Sequence, residues 1–349
     1  MPAGAPVRIA LDLMGGDDAP AAVVDGALLV AEEQPDVRLL LVGPSDVAAA
    51  ALAARDATER FEVVAASEVI EMHEDPARAV RAKRDASVRV AARLVRDGAA
   101  DALVSAGSTG AVMAAALFTL GRVPGMSRPA LAIVIPAAAH PVVLLDAGAN
   151  VDATPDLLGQ FALAGCAYAT ARLGLDAPRV GLLSNGSEPG KGDDLRKAAY
   201  ATLAELPIGF VGNVEGHDVV LGGPADVVVA DGFTGNVLLK GLEGTVRMLS
   251  SALLTAFGET PERMAAAKDL VPAISEVALR LSPDTQGGAV LLGVTGVTVA
   301  AHGASSPRAI AASVRVAAQA VRERLVDRTS EALATLVAQR RKQAGLGTG

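Results

Sequence analysis

Cysteine is almost absent from this chain of 349 residues, with Cys166 standing alone. A single thiol excludes an intrachain disulfide and a cysteine-rich metal site. Cys166 follows Ala162, Leu163 and Ala164 in an apolar helical pattern, so packing is its expected role. Aromatic residues make up 2% with no Trp, which disfavours stacking on bases or sugars as a recognition mode. Positive charge is also in deficit. The net charge of −8 argues against nucleic acid as a general partner, so an acidic partner needs a local basic patch. No apolar run is long enough to span a bilayer. The first residues pass straight into a strand pattern, so no signal peptide is expected and a cytoplasmic setting fits. What is present is core: 51% hydrophobic against 20% charged residues, in a length that suits two domains or one large α/β unit.

One pattern occurs twice. Ala225–Lys240 reads ADVVVADGFTGNVLLK. Val227, Val228 and Val229 read as a buried strand, Asp231 and Gly232 break it, and Thr234 is the expected helix N-cap. Val237, Leu238 and Leu242 then recur at helical spacing. A strand, a glycine turn and a helix in succession aim backbone N–H groups at an anion, above all phosphate. Lys240 lies one turn beyond Asn236 on the same helix face, so the two side chains reach one place. Ala100–Met113, ADALVSAGSTGAVM, repeats the unit in register. Asp101 matches Asp226, Gly107 matches Gly232, Thr109 matches Thr234 and Gly110 matches Gly235. The pair predicts two turns facing one cleft.

Along the rest of the chain, strands are expected at Val7–Leu13, Val37–Val42, Phe61–Ala65, Leu131–Ile135, Val142–Leu145, Arg179–Leu183 and Ile208–Val211. Successive strand–helix units imply a parallel sheet. Helices are expected from Pro20 to Glu33, from Asp75-Pro76 unbroken to Asp97, from Pro155 to Leu173, and from Pro307 onward past Leu325 to Gln339. The arginines between Asp75 and Asp97 read mostly as a solvated face. Asp146–Asp152 ends a strand with two carboxylates and an amide, either a hard-cation site or a polar loop lining the cleft. Between Leu249 and Ser282 the pattern leaves the sheet as a helical hairpin whose apolar face packs on a second subunit, a membrane or the chain's own core.

Nine motifs coincide in order: LDLMGGDDAP (Leu11–Pro20), AVRAKRDAS (Ala79–Ser87), VSAGSTGAVMA (Val104–Ala114), GRVPGMSRPALA (Gly121–Ala132), LLDAGANVD (Leu144–Asp152), GNVEG (Gly212–Gly216), DGFTGNVLLK (Asp231–Lys240), GGAVLLGVTGV (Gly287–Val297) and AHGASS (Ala301–Ser306). Together they resemble the bacterial phosphate acyltransferases of phospholipid synthesis, from about Arg8 to Arg322. The resemblance implies conversion of acyl-acyl carrier protein (acyl-ACP) and inorganic phosphate to acyl phosphate and free carrier, for use by a membrane glycerol-3-phosphate acyltransferase. It implies a mostly parallel α/β sheet flanked by helices, similar to isocitrate and isopropylmalate dehydrogenases and to phosphotransacetylases. It further implies a homodimer attached peripherally to the cytoplasmic membrane, with no cofactor and no metal. Residues 1–325 would form a single α/β catalytic unit, or two lobes, carrying the 249–282 excursion for dimer or membrane contact. Residues 326–349 would be a helix end and a mobile tail.

The residues suit that chemistry. Gly107, Ser108, Thr109 and Gly110, with Gly232, Thr234 and Gly235, would hold phosphate through backbone N–H groups, and Lys240 or Lys191 would offset its charge. Asn236, Ser108 or a loop N–H would stabilise the tetrahedral oxyanion. A pantetheine thiol with a pKa near ~8.5 leaves without an enzyme nucleophile, so phosphate attacks directly. His302 would orient phosphate, protonate the departing sulfur, or simply complete a turn. Asp12 and Asp17 flank the flexible turn at Gly15 and Gly16 as supporting residues, or simply orient a lysine or cap a helix. Lys83 and Arg84 would meet phosphate or the acidic carrier, or form surface ion pairs. Three departures stand out. Ser108 replaces the family's usual Asn, and Leu182–Glu188 shifts the amide of an LLNIGEE-type loop by one position. The excursion balances its bases with acids, which weakens attraction to anionic lipid and leaves apolar insertion. A dehydrogenase using NAD on the same fold, and a non-catalytic membrane-associated scaffold, are the alternative readings.

Overall fold

A computed structural model describes residues 5–281 and 283–343 of the chain. Ser282 and the expected mobile tail at Gly345–Gly349 lie outside the described residues.

Among the described residues eleven strands form one sheet: β1 (Val7–Asp12), β2 (Val37–Gly43), β3 (Glu62–Ala65), β4 (Ala102–Ser105), β5 (Ala130–Ile135), β6 (Val142–Leu145), β7 (Arg179–Leu183), β8 (Gly209–Val214), β9 (Val227–Val229), β10 (Ala289–Leu292) and β11 (Val297–Ala300). Their order is β3-β2-β1-β4-β11-β10-β5-β6-β9-β7-β8. Pairing is parallel except where β10 meets β11 and β5, and where β5 meets β6. Strands β4, β5, β6 and β9 are buried at every position, which is why they read as apolar runs without alternation.

The helices fill both faces. They are α1 (Ala21–Glu33), α2 (Ser45–Ala53), α3 (Pro76–Ala82), α4 (Ser87–Arg96), α5 (Thr109–Thr119), α6 (Pro155–Leu173), α7 (Asp194–Ala204), α8 (Gly216–Leu221), α9 (Gly232–Gly258), α10 (Pro261–Ala267), α11 (Val271–Leu281), α12 (Pro283–Gln286), α13 (Pro307–Arg322) and α14 (Leu325–Gln343). Helix α6 is the central support. Thr154 caps it, and Phe161 and Tyr168 are fully enclosed. It crosses β6 and β9 so closely that a Cβ on Gly165 would lie 2.7 Å from Val227. Cys166 sits on this helix, where burial and then the charge of Asp226 push its thiol up to about 12. That thiol is not a nucleophile at neutral pH.

Three helical expectations change. The helix expected from Asp75 to Asp97 is two helices, interrupted at Lys83–Ala86. Asp85 there accepts from the N–H and hydroxyl of Ser67, and Ser87 N–H donates to Glu68 O, so a neighbouring loop claims the backbone. The helix after Pro307 also breaks, at Arg324, whose φ is +54°. The excursion is longer than expected. It begins inside α9, one continuous helix of 27 residues, and α10 and α11 return along it.

The duplicated unit has a structural counterpart. Asp101 clasps Arg8 at the start of β1: Arg8 N–H, Nε and Nη2 all donate to its carboxylate, and Asp101 N–H donates to Arg8 O at 2.7 Å. Asp226 clasps Arg179 at the start of β7 with the same four bonds, its N–H reaching Arg179 O at 2.8 Å. The Arg179 guanidinium holds the Asp226 carboxyl below the usual range. Each clasp pins the strand that leads into a glycine turn, so β4–α5 and β9–α9 leave the sheet from equivalent anchors.

Candidate active site

The two turns open toward one cavity of about 950 Å³ at the carboxyl ends of the strands. Its floor is Leu131 and Ile133 of β5 with Ala289 and Ala300 of β10 and β11. Helix α9 forms a long wall from Asn236 to Thr255, and Ala278 of α11 closes part of the far side. Thr109 at the start of α5, Asn236, Lys240 and His302 all line it. Along α9 the apolar Leu239, Val246 and Leu254 alternate with Glu243, Arg247, Ser250, Ser251 and Thr255, so polar and apolar side chains share this wall. Apolar side chains with a few polar groups among them are the usual lining of a ligand cavity.

The α5 end is open to an anion. Among the described residues, the N–H groups of Ser108, Thr109, Gly110 and Ala111 have no protein acceptor. Ser108 occupies the N-cap position without a side-chain cap bond. What holds this turn lies beneath it. Asp12 is buried and accepts from Ser105 Oγ at 2.6 Å, and Ser105 Oγ accepts from Gly107 N–H at 3.1 Å. Burial pushes the Asp12 carboxyl up, against the pull of the Ser105 and Ser87 hydroxyls and of Met14 N–H. A Cβ on Gly15 would lie 2.7 Å from Gly107 N, so this glycine lets the first loop pass under α5. Gly16, at φ +111°, turns that loop, and Asp17 N–H then donates to Gly303 O at 2.8 Å. Asp12, Gly15, Gly16 and Asp17 thus tie the α5 turn to the His302 loop from below.

The α9 end corrects the sequence reading. Asp231, not Thr234, is the N-cap, and it accepts from Thr234 N–H and hydroxyl. Gly232 N–H donates to Asn150 O at 2.7 Å and Gly235 N–H to Asp231 O at 2.9 Å. These donors are spent inside the protein and do not form the free anion cradle expected at Gly232, Thr234 and Gly235. The glycines serve packing, since a Cβ on Gly235 would fall 2.0 Å from Asp146 O. Asp146 organises the facing loop by accepting from the N–H groups of Leu131, Gly148, Ala149 and Asn150 and from the Asn150 amide. Burial pushes its carboxyl up and these donors oppose it. With its oxygens so engaged, Asp146 is a loop-former, and no group of three metal-ligating side chains occurs among the described residues.

Side chains, not N–H groups, therefore supply the α9 contribution. Asn236 is exposed, its amide has no hydrogen-bond partner among the described residues, and it sits over Gly148. Lys240 Nζ pairs with Glu243 at 2.8 Å and is half exposed. His302 Nδ1 accepts from Ala304 N–H at 3.2 Å, so in the neutral ring the proton is on Nε2.

Two expected cations are elsewhere. Lys83 bonds Glu74 at 2.5 Å and Val69 O at 2.6 Å, the ion-pair alternative, and does not line the cavity. Lys191 is exposed on the loop after β7 and lines none of the cavity. The residue missed there is Arg196, whose guanidinium bonds Asp231, Asp193 and Thr234 Oγ1. Burial alone would raise the Asp231 carboxyl, but Thr234 and Arg196 together hold it low. Arg196 lies 35 positions before Asp231 in the chain, so no local motif signals the pairing.

A family profile described as fatty acid synthesis protein matches residues 7–328. A phosphate acyltransferase of Desulfitobacterium hafniense (strain DSM 10664 / DCB-2) is 45% identical over 327 residues, covering 94% of this chain and 98% of its own. One of Pelotomaculum thermopropionicum is 48% identical over 325 residues, covering 92% and 93%. Among solved structures, a phosphotransacetylase from Streptococcus pyogenes superposes with a TM-score of 0.62 at 18% identity, covering 91% of this chain and 94% of that one. A branched-chain phosphotransacylase from Enterococcus faecalis V583 gives 0.58 at 17%, covering 90% and 99%. The solved structures establish the shared fold.

Proposed function

The chain belongs to the family of phosphate acyltransferases, and on that premise we propose that it moves a fatty acyl group from acyl-ACP to inorganic phosphate. The supporting observation is the cavity itself, where Thr109 at the start of α5, Asn236, Lys240 and His302 meet among apolar side chains. The dehydrogenase alternative yields to the relatives.

In this reading phosphate rests on the free N–H groups of Ser108 to Ala111, and Lys240 offsets its charge. A phosphate oxygen attacks the thioester carbonyl carbon. The carbonyl oxygen becomes an oxyanion and takes a hydrogen bond from the Asn236 amide, a contact that strengthens as charge develops. The tetrahedral centre collapses, the C–S bond breaks, and sulfur leaves as thiolate, later protonated from solvent. The products are acyl phosphate and the free carrier thiol. Incubation with acyl-ACP and orthophosphate should release carrier thiol in proportion to phosphate. Release that is independent of phosphate at every chain length overturns the assignment.

Peripheral membrane contact belongs to the same proposal. No helix among the described residues is long and apolar enough to cross a membrane. Met248, Leu249, Met264 and Leu270 on the α9–α11 projection are each more than half exposed, a density of apolar side chains that suits an interface. Arg263 is neutralised by Glu259, so apolar insertion carries the attraction. Leu249→Glu with Leu270→Glu should cut co-sedimentation with liposomes several-fold and leave turnover of a soluble acyl thioester intact. Unchanged sedimentation would assign the projection to a subunit contact.

A further inference from the structure

The chain carries net −8, yet from Pro76 to Arg96 it places seven basic residues against one acid, Asp85. Some are spent locally. Lys83 bonds Glu74, Arg89 bonds Val80 O, and Arg93 bonds Arg84 O and Asp85. Three guanidinium groups are not: those of Arg78, Arg81 and Arg84 have no carboxylate partner among the described residues, and all three residues are exposed. Arg81 is held upright by stacking 4.8 Å over the ring of Phe118, itself 46% exposed. A cation fixed on an aromatic face at the surface, with no counter-charge, is presented to something outside the molecule.

The position is specific. Helix α3 lies along α5. At one end Pro76 packs on Gly110, where an added Cβ would lie 2.6 Å from Pro76 Cγ, and Thr109 beside it lines the cavity. At the other end Arg81 covers Phe118 near the end of α5. The arginine ridge therefore begins one residue from the candidate phosphate site and runs outward from it.

We infer that this ridge on α3 docks the acidic face of the carrier protein whose thioester enters the cavity. The inference rests on the acyl-ACP reading above. Its argument is charge complementarity in a molecule whose net charge repels an acidic partner, so a local basic surface beside the cavity must supply both attraction and orientation. The flexible thiol arm of the carrier then enters past Thr109. A small thioester has no acidic body and does not need the ridge.

The test compares the full-length protein with the Arg78→Glu/Arg81→Glu double variant at saturating phosphate. The KM for an acyl-ACP should rise roughly tenfold or more, and its dependence on salt should flatten, because steering by exposed charges is screened beyond about 10 Å at 0.1 M salt. The kcat, and the kinetics with a small acyl thioester such as acyl-pantetheine, should be unchanged. Arg60→Glu, a single charge reversal at an exposed turn with no ion-pair partner among the described residues, should leave the carrier KM alone, where Arg81→Glu by itself should raise it. Arg78→Gln/Arg81→Gln should show a smaller rise if the double reversal folds poorly. An unchanged carrier KM, or an equal rise with acyl-pantetheine or with Arg60→Glu, overturns docking at this ridge. So does lost binding to anionic phosphatidylglycerol vesicles with the carrier KM unaffected. Direct titration with the phosphopantetheine-bearing carrier separates the two readings. If the wild-type protein turns over no thioester with phosphate but binds that carrier through the ridge, the function fails and the docking stands.

Discussion

Gly235→Ala should lower the melting temperature by about 5 °C or more and abolish acyl transfer, although alanine is the better helix former. The residue lies in the first turns of α9 without an unusual φ, so conformational freedom is not what it provides. It provides space. An added Cβ would fall 2.0 Å from the backbone oxygen of Asp146, and the loop carrying that oxygen is pinned by the five bonds to its own side chain. Neither side yields cheaply, so the helix must move off the loop. Overpacking costs about 1–3 kcal/mol when side chains can shift, and more when the obstacle is backbone. Since Asn236 is the next residue, the same displacement carries its amide away from the cavity. Gly241→Ala is the internal comparison. Nothing lies within 4 Å of its Cβ, so it should stabilise the protein by up to ~1 kcal/mol through helix propensity alone. Differential scanning calorimetry of both variants decides the matter. A neutral Gly235→Ala would mean that α9 is not seated on the 146–150 loop.

That glycine shows where sequence reasoning reached its limit. The repeat of Gly107/Gly110 with Gly232/Gly235 is visible, and the strands before it are legible because Ala102–Val104 and Val227–Val229 are continuously apolar and bounded by turn residues. The meaning of the glycines is not. At Gly110 and Gly235 they admit Pro76 and Asp146, contacts made across 34 and 89 positions of chain. The clasps Arg8–Asp101 and Arg179–Asp226 are invisible for the same reason, although the matched aspartates were in plain view. Asn236 and Lys240 were placed together because i and i+4 spacing on a helix is a local rule, and both line the cavity. Lys83 is suggested by its motif and Lys191 by its place in the glycine-rich loop Asn185–Asp193, and neither signal fixes direction: Lys83 turns to Glu74 and Lys191 to the surface. The break at Lys83–Ala86 was hidden because Asp85 is recruited by Ser67, and no periodicity within 75–97 records that contact.

Asn236 and Lys240, legible together, should nevertheless fail in different ways. Asn236 has an uncommitted amide lining the cavity, and its proposed contact with the oxyanion is weak in the ground state and strong in the transition state. Its loss therefore appears in kcat. Asn236→Ala should lower kcat by about 10²–10³ with little change in the KM for phosphate, the magnitude associated with one oxyanion donor. Lys240 instead meets phosphate before reaction and through the transition state alike, so Lys240→Ala should raise the phosphate KM about tenfold and reduce kcat less. Its ion pair with Glu243 supplies a further discriminating experiment. At 2.8 Å, Glu243 competes with phosphate for the ammonium group, so Glu243→Gln should lower the phosphate KM in the parent protein and have no such effect in Lys240→Ala. Initial rates across a phosphate series at saturating acyl-ACP measure all four variants. If Asn236→Ala retains the parental kcat, the oxyanion donor lies elsewhere, and the unpartnered N–H groups at the start of α5 would have to serve both phosphate and oxyanion.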